Sequence, residues 1–392
     1  MSTDETPGTL RGTVAIATGI LGTATETGVR RHIALLFSGR TVVLCERRDP
    51  DHVSEKPVFV AIGGRSGPLQ VAEREIGKAI QSLRYKCSGV PFGRVRRELQ
   101  DFLRTHDVQA IVAEFGHLGG NLAPLGNALG IPVFVYFRGF DASKRLRSPR
   151  IIRRYRAAIP RLAGVVSVSQ SLLDNLAAVG VRHPNSVVIP TGVDTSVFVP
   201  LEKDPHLILA VGRIVEKKAP LITIDAFAAA AADFPEHRLE IVGAGELRAT
   251  AEAHVRALGL EARVIFHGRK DHAFVREKIG RAQVFIQHSV TAADGNTEGL
   301  PTSIQEAMSC GAVVVSTRHA GIPEAITDGE TGLLVDEHDA GGFALALRRV
   351  LQDPGGAARM GRAARAAAED RFEFRKLHAR LEAMIRAALP PA

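Results

Sequence analysis

The chain has little of what marks several common protein classes. It has no tryptophan and only three tyrosines in 392 residues. It shows no recognition motif in which aromatic side chains alternate with cations, so we predict no nucleic-acid partner. Its three cysteines, Cys45, Cys87 and Cys310, have neither paired nor metal-type spacing. That spacing indicates a reducing compartment and no zinc site.

Long hydrophobic runs are also missing. No apolar stretch approaches the roughly 20 residues that span a bilayer. Residues 1–7 are polar and acidic, whereas a secretory signal needs a basic start and an apolar core. We therefore expect a cytoplasmic protein that can attach peripherally to the inner face of the cell membrane.

Charge is distributed unevenly along the chain. Residues 1–200 contain 26 Lys and Arg against 16 Asp and Glu, whereas residues 201–392 contain 24 against 26. An anionic partner is thus expected at the N-terminal half. Its densest basic cluster suits a solvated helix face or anionic lipid headgroups and a lipid-phosphate acceptor, and nucleic acid is disfavoured. The cluster comprises Lys144, Arg145, Arg147, Arg150, Arg153, Arg154, Arg156 and Arg161.

Short β-branched runs alternate with longer helical patterns throughout, which predicts an α/β protein with parallel sheets and crossover helices. The stretch from Pro190 to Pro205 separates two such series. We predict an N-terminal domain at 1–195, a second domain at 196–371, and an amphipathic segment at 372–392 that packs back on the first. The predicted strands are Thr13–Thr18, Thr41–Cys45, Ala110–Ala113, Pro132–Phe137, Gly164–Val168, Ser186–Ile189, His206–Val211, Arg238–Val242, Arg263–Phe266, Val284–Ile286, Ala312–Ser316 and Gly332–Val335.

Two cations follow the first predicted strand of the second half. Arg213 comes directly after it, and Lys218 lies five residues further on. Ligands of open parallel sheets bind at the carboxyl ends of strands. A planar Arg can hold a diphosphate bidentately while a Lys supplies a point charge. The alternative interpretation is an ordinary surface pair.

The glycines Gly243 and Gly245 follow the next strand. A glycine pair lets the backbone approach a ligand closely and exposes N–H groups at a helix start. Position 248 is Arg, so the third glycine of a dinucleotide fingerprint is absent and we predict no NAD site. A tight strand-to-helix turn remains the alternative.

The most informative segment runs from Glu298 to Glu306. Gly299 permits an unusual backbone angle, and Pro301 suits the first turn of a helix. The free N–H groups of the next two residues, Thr302 and Ser303, would form an anion site at the positive end of the helix dipole. Glu298 would project from the loop before this helix, and Glu306 would lie within it, placed for a diol. The alternative is a helix cap and a surface acid.

These motifs resemble the retaining glycosyltransferases of family 4. The resemblance rests on Arg213 with Lys218, on Glu298 with Glu306, and on the run from Gly321 to Val335. The segments 25–27, 137–143 and 289–301 are similar to the colanic-acid and exopolysaccharide branch. The resemblance implies a GT-B fold, in which two Rossmann-like domains face each other across a cleft and a C-terminal helix crosses back.

The resemblance also implies roles for residues at matching positions. Glu298, Arg213 and Lys218 would be catalytic, Arg213 and Lys218 would hold the donor diphosphate, and Glu306 would hold the ribose. The nucleobase would lie against Gly268 and Arg269. The implied donor-binding set is completed by Gly243, Gly299, Leu300, Pro301, Thr302 and Ser303. The implied acceptor-binding set is Glu26, Thr27, His117, Arg138, Asp141 and Asp294.

Two positions depart from the family pattern. Arg138 stands where the family usually has a His beside the sugar, and a guanidinium cannot act as a base at neutral pH. It could bind a carboxylate or phosphate on a substrate. Glu114 stands where this branch often has another His, and nearby His117 is either a partial substitute or a structural residue.

The predicted reaction is transfer of a hexose from a nucleoside-diphosphate sugar to a hydroxyl of a saccharide or lipid-diphosphate-linked acceptor, with retained configuration. The fixed cations would replace a metal, so no metal and no cofactor is predicted besides the donor substrate. Two rivals remain: another enzyme on this fold, such as a phosphorylase or sugar-nucleotide epimerase, and a non-catalytic nucleotide-sugar-binding subunit.

Overall fold

The computed structural model of the protein describes residues 9–22, 26–60 and 68–390. They divide into two compact units. The first contains the described residues up to Ile189 together with the segment from His378, and the second runs from Pro190 to Leu377. Each unit is built on one sheet whose strands are all parallel. The predicted α/β class is therefore confirmed.

The sheet of the first unit has seven strands in the order β3-β2-β1-β4-β5-β6-β7. Successive strands depart from β1 in both directions, so the order reverses between β1 and β4. At such a reversal the connecting segments diverge and leave a crevice at the carboxyl ends of the strands. The strands are β1 (Thr13–Leu21), β2 (Thr41–Arg48), β3 (Val58–Val60), β4 (Val108–Ala113), β5 (Val133–Phe137), β6 (Gly164–Ser167) and β7 (Ser186–Val188).

Helices connect these strands. The central strands are mostly apolar because helices cover both faces of a parallel sheet, and all five residues of β5 are buried. The helices of this unit are α1 (Thr27–Leu35), α2 (Pro68–Tyr85), α3 (Gly93–Thr105), α4 (Gly116–Leu129), α5 (Pro149–Ala158) and α6 (Gln170–Ala178).

The sheet of the second unit has six strands in the order β10-β9-β8-β11-β12-β13. Its order reverses between β8 and β11. The strands are β8 (Asp204–Val211), β9 (Arg238–Val242), β10 (Val264–Gly268), β11 (Ala282–Gln287), β12 (Val313–Thr317) and β13 (Gly332–Val335). The helices are α7 (Pro220–Ala230), α8 (Arg248–Ala257), α9 (His272–Arg281), α10 (Thr302–Ser309), α11 (Ile322–Ala325), α12 (Ala340–Gln352), α13 (Pro354–Arg371) and the start of α14 (Phe374–Arg386).

The predicted strands all coincide with observed strands to within a few residues. The sequence did not predict β3, which has three residues at the edge of its sheet and too little pattern to recognise. The helix expected to follow Gly243 and Gly245 begins only at Arg248. Pro301 is the residue before α10 and not its first residue.

Helix α14 begins in the second unit and ends in the first. In the second unit, Phe374 N donates to the Val193 carbonyl at 3.0 Å. Further along, Arg380 donates to the Val188 carbonyl at 3.0 Å, and the Glu382 carboxylate accepts from Phe37 N at 2.7 Å. These bonds fix both ends of the helix. Within the described ranges, no helix has both the length and the apolar character needed to cross a bilayer.

Candidate active site

Three glycines define the carboxyl edge of the second sheet. Gly212 and Gly243 follow β8 and β9, and Gly268 ends β10, with φ of 156°, 147° and 68°. Gly212 N donates to Val242 O at 3.0 Å, and Gly243 N donates to Gly268 O at 2.9 Å. A Cβ on Gly243 would lie 1.8 Å from Gly212 O. The absent side chains let the strand ends pack closely and leave backbone open to a ligand.

The segment after β8 carries the predicted cations. Arg213 is exposed, whereas a one-turn 3₁₀ helix, Glu216–Lys218, carries Lys218 inward until its side chain is only 14% exposed. Burial lowers the pKa of Lys218, and the charges of Lys217 and Arg213 lower it further, while Glu298 opposes them. Three cations therefore lie close together, and the carboxylate of Glu298 offsets part of their repulsion at Lys218.

Glu298 is the anionic centre of this group. Its Oε1 lies 3.3 Å from Lys218 Nζ and 3.4 Å from Lys217 Nζ. Burial raises the pKa of Glu298, but the charges of Lys218 and Lys217 outweigh it and lower the pKa to about 2. Glu298 is therefore a carboxylate at neutral pH. Because it reaches Lys218 from the loop after β11, the pair spans the two strands where the sheet order reverses.

Hydrogen bonds also hold the main chain of Glu298. Its N–H donates to His319 Nε2 at 3.0 Å, so the other ring nitrogen carries the proton and donates to Glu337 Oε1 at 2.6 Å. Glu337 Oε2 in turn accepts from Thr291 N at 2.7 Å. His319 is 1% exposed. On the other side, Lys217 Nζ donates to the Thr297 carbonyl at 3.1 Å. This chain of bonds orients the Glu298 peptide.

We expect His319→Ala to lower kcat by about 10²-fold, because a displacement of about 1 Å at a reacting group can cost that much. The measurement is the initial rate as a function of donor concentration. The matched control is His288→Ala. His288 is equally buried and also accepts a backbone N–H, from His338 at 3.1 Å, but it does not bond Glu298. Equal rate losses in the two variants would contradict the positioning role.

The second carboxylate of the predicted pair lies inside α10. Glu306 is 9% exposed, and the first N–H groups of this helix, from Thr302 and Ser303, have no carbonyl partner within the helix. The Ser303 hydroxyl donates to Gln287 Oε1 at 3.1 Å, which fixes the helix start against the end of β11. Gly299 O accepts from Gly321 N at 3.0 Å. The helix start therefore lies beside β11, next to the loop that carries Glu298.

Two other predicted residues lie on exposed loops of this unit. Arg269 follows β10 directly and is exposed. Asp294 is exposed in the loop between β11 and α10, where its Oδ1 accepts from Asn296 N at 2.8 Å. Glu216 fastens the same loop, because its Oε1 accepts from Ala293 N at 2.8 Å.

In the first unit, the unusual pair found in the sequence forms one buried cluster. Arg138 Nε and Nη2 lie 2.8 and 2.5 Å from Glu114 Oε2. The other oxygen of Glu114 bonds His32 Nδ1. The Arg138 guanidinium also lies 4.3 Å from the centre of the Tyr136 ring. Burial raises the pKa of Glu114, but Arg138 and His32 overcome this and lower it to about 2. Glu114 therefore pairs with the guanidinium of Arg138, for which the sequence had suggested a substrate carboxylate or phosphate as partner.

Asp141 is bound to the backbone. Its Oδ1 accepts from Arg138 N at 3.1 Å and from Gly139 N at 3.3 Å, and its Oδ2 accepts from Gly116 N at 2.9 Å. It is 1% exposed. Burial raises its pKa, and these backbone bonds counteract the rise. The carboxylate therefore joins the segment after β5 to the start of α4.

The remaining first-unit residues are more accessible. Glu26 and Thr27 are partly exposed where α1 begins, and the Thr18 hydroxyl donates to Glu26 Oε2 at 3.4 Å. Burial raises the pKa of Glu26, against the opposing charge of Arg138. The side chain of His117 is 21% exposed, with Nε2 3.8 Å from Glu46 Oε1. Of the segment 25–27, residue 25 lies outside the described residues.

Sequence reasoning missed four residues at these sites. The sequence pattern indicated Lys218 but not its neighbour Lys217, although both ammonium groups lie close to the Glu298 carboxylate. His319 and Glu337 come from positions 21 and 39 residues beyond Glu298 in the sequence, so no local pattern links them. His32 lies 82 positions before Glu114. Only the fold brings these partners together.

Comparison with known proteins identifies the family. The family model described as "Glycosyl transferases group 1" matches residues 194–367, and the model "Glycosyltransferase Family 4" matches residues 40–197. Among curated relatives, the putative colanic acid biosynthesis glycosyltransferase WcaL of Escherichia coli K12 is 31% identical over 60% of this chain and 60% of its own. The amylovoran biosynthesis glycosyltransferase AmsK of Erwinia amylovora is 31% identical over 66% of this chain and 64% of its own. The match thus spans less than two thirds of either relative.

Matches to solved structures cover more of the chain than the matches to curated relatives do. HepE from Anabaena, crystallised in complex with UDP-glucose, aligns with a TM-score of 0.74 over 94% of this chain and 98% of its own, at 19% identity. The likeness covers both parallel sheets and shows that they have the GT-B fold. The two family matches together span residues 40–367, so most of the chain consists of a Glycosyltransferase Family 4 domain followed by a glycosyl transferases group 1 domain.

Proposed function

We propose that this protein is a retaining glycosyltransferase that moves a hexose from a nucleoside-diphosphate sugar to an acceptor hydroxyl in polysaccharide or glycoconjugate biosynthesis. One observation carries the proposal. A buried carboxylate, Glu298, lies between Lys217 and Lys218 where the strand order of the sheet reverses, and Arg213 lies exposed nearby. Phosphate-binding cations beside one fixed carboxylate suit a substrate that is anionic at its diphosphate and whose reacting carbon gains positive charge in the transition state.

Each part of a sugar nucleotide has a proposed partner. Arg213 and Lys218 bind the diphosphate, assisted by the N–H groups at the start of α10. Glu306, buried in α10, accepts from the ribose diol. Gly243 and Gly268 have no side chains, so the nucleoside can approach the backbone closely there, with Arg269 beside the base. In this arrangement the side-chain cations take the role that a metal has in other phosphate sites, and no cofactor is needed.

The pKa of Glu298 restricts its role. A group with a pKa of about 2 carries no proton to donate at neutral pH and is a weak base. We therefore assign it to accept hydrogen bonds from the sugar and to stabilise positive charge as the oxocarbenium-like state develops. The bond from the anomeric carbon to the diphosphate breaks as the bond to the acceptor oxygen forms on the same face. The acceptor proton passes to the departing phosphate oxygen.

The acceptor is assigned to the first unit, at the carboxyl ends of β1 and β4. Glu26, Thr27 and His117 are the proposed contacts because they are partly exposed there. Arg138 and Asp141 act behind them, through Glu114 and through the backbone of α4. A saccharide or a lipid-diphosphate-linked saccharide is the proposed acceptor. The names of WcaL and AmsK refer to colanic acid and amylovoran biosynthesis, which supports a saccharide acceptor.

The test is release of nucleoside diphosphate from a panel of UDP-, GDP- and ADP-hexoses. A UDP-hexose comes first because HepE was crystallised with UDP-glucose. We expect turnover of one donor, and NMR of the product is expected to show the anomeric configuration of the donor. Inverted product would overturn retention. Donor binding without turnover, with membrane extract supplied as acceptor, would favour the non-catalytic subunit, and an isomerised donor would indicate an epimerase.

A further inference from the structure

Helix α2 leaves one apolar face uncovered. Ile76, Ile80 and Leu83 are 58%, 45% and 78% exposed. Their spacing of four and then three residues places them on one side of the helix. We call these three side chains the α2 face. The helix packs on the protein through another side, since a Cβ on Gly77 would lie 2.9 Å from the Phe92 ring. The exposure thus results from a packed helix that presents its apolar side outwards.

Cations surround the carboxyl end of this face. Arg84 and Lys86 are exposed. Arg84 lies in the last turn of α2, one residue after Leu83, and Lys86 follows the end of the helix at Tyr85. The Arg84 and Arg161 guanidinium carbons lie 5.2 and 5.5 Å from the centre of the Tyr85 ring.

The basic segment around α5 therefore adjoins the end of α2. A second contact supports this, because Arg154 Nη2 lies 3.2 Å from both Cys87 Sγ and Asn121 Oδ1. Arg150 and Arg153 on α5 are also exposed. The surface thus joins an apolar stripe to part of the cluster that the sequence singled out for anionic lipid.

We propose that the α2 face, with the cations beside it, docks on an anionic membrane surface. An apolar stripe bordered by Lys and Arg inserts into the boundary between headgroups and acyl chains, while the cations bind acidic headgroups. A soluble anion would use the cations but leave the three apolar side chains in water. The proposal goes beyond the sugar-nucleotide site and does not depend on it, and it would keep the enzyme near a lipid-linked acceptor.

The charges also distinguish a membrane from a second copy of the chain. In a two-fold contact the same patch lies on both sides. Arg84, Lys86 and Arg161 would then face their own copies, and like charges oppose association. An acidic membrane presents the opposite sign. The charge pattern therefore favours lipid as the occupant.

The experiment is co-sedimentation with vesicles of phosphatidylcholine, with and without phosphatidylglycerol. The triple variant Ile76→Ser, Ile80→Ser, Leu83→Ser is compared with a control, Val53→Ser with Leu345→Ser, which removes exposed apolar side chains elsewhere. We expect the unmodified protein and the control to bind the anionic vesicles. The triple variant should lose about tenfold or more of that binding. Arg84→Gln with Lys86→Gln should weaken binding and reduce its sensitivity to salt.

Circular dichroism and thermal unfolding establish that each variant is folded, and the single variant Leu83→Ser replaces the triple if it is not. Equal vesicle binding by the triple variant and the control would overturn the proposal. So would a dimer that the triple variant converts to a monomer while the unmodified protein binds no vesicles. Donor turnover by the triple variant is expected to be normal, which separates this outcome from failure of the proposed reaction.

Discussion

Glu298→Gln is expected to reduce kcat for glycosyl transfer by about 10²–10³-fold, the usual cost of removing one preorganised electrostatic partner of a transition state. The substitution keeps shape and hydrogen-bonding length but removes the charge that faces Lys217 and Lys218 at 3.4 and 3.3 Å. The amide cannot balance positive charge on the sugar. The measurement is kcat and donor KM from initial rates with the donor identified by the panel.

The variant should also respond differently to nucleoside diphosphate. With the carboxylate gone, two mostly buried ammonium groups lack their counter-charge, and a bound diphosphate supplies it. We therefore expect a larger rise in Tm on adding the nucleoside diphosphate than in the unmodified protein. Glu330→Gln, the same change at an exposed position, is the matched control and should alter neither rate nor Tm shift. An unchanged kcat in Glu298→Gln would refute the assignment.

Glu114→Gln is expected to destabilise the first unit by about 3–5 kcal/mol, the typical cost of removing one partner of a buried ion pair. Glu114 is fully buried between Arg138 and His32. The amide leaves the guanidinium of Arg138, whose side chain is only 14% exposed, without its closest counter-charge. The measurement is the free energy of unfolding from urea titration, at neutral pH.

The pH dependence gives this prediction a second readout. The pKa of Glu114 is lowered from 4.5 to about 2 in the folded protein. A carboxyl with a lowered pKa stabilises the fold at pH values above its unfolded pKa. That contribution is lost as the pH falls from about 4.5 towards about 2. Stability of the unmodified protein should decline across this window, and the Glu114→Gln variant should decline less there.

The double variant Glu114→Leu with Arg138→Met tests whether the unpaired charge of Arg138 causes the loss of stability. Replacing a buried ion pair by apolar residues of similar volume is often neutral or stabilising. Recovery of most of the lost stability would attribute the defect in Glu114→Gln to the uncompensated Arg138. If the double variant is as unstable as Glu114→Gln, burial of an unpaired charge is not the reason.

The two departures from the family pattern illustrate what the sequence could and could not predict. Each was visible as a single unusual residue, and Arg138 invited the interpretation of a binder of substrate anions. Their contact, Arg138 with Glu114 at 2.5–2.8 Å, joins residues that are 24 positions apart. β4 and β5, which lead to them, are neighbours in the sheet. A sequence shows both charges but does not say that each takes the other as its partner.

The sequence by itself determined the class of the fold, the order of its strands along the chain and the chemistry available at their ends. Buried parallel strands must be apolar runs, turns with positive φ favour glycine, and Arg213, Lys218, Glu298 and Glu306 follow such runs in a recognisable spacing. These are local constraints, and a linear pattern records them.

Only the tertiary structure decided the protonation state of those groups and the residues that orient them. Lys217 and His319 contact Glu298, and Glu337 orients His319, because the loops after β8, β11, β12 and β13 meet at one edge of the sheet. Likewise, the exposure of the α2 face follows from which side of that helix packs on the protein. Burial and distance set the pKa of a carboxylate and the surface a helix presents, and both depend on residues far apart in the chain.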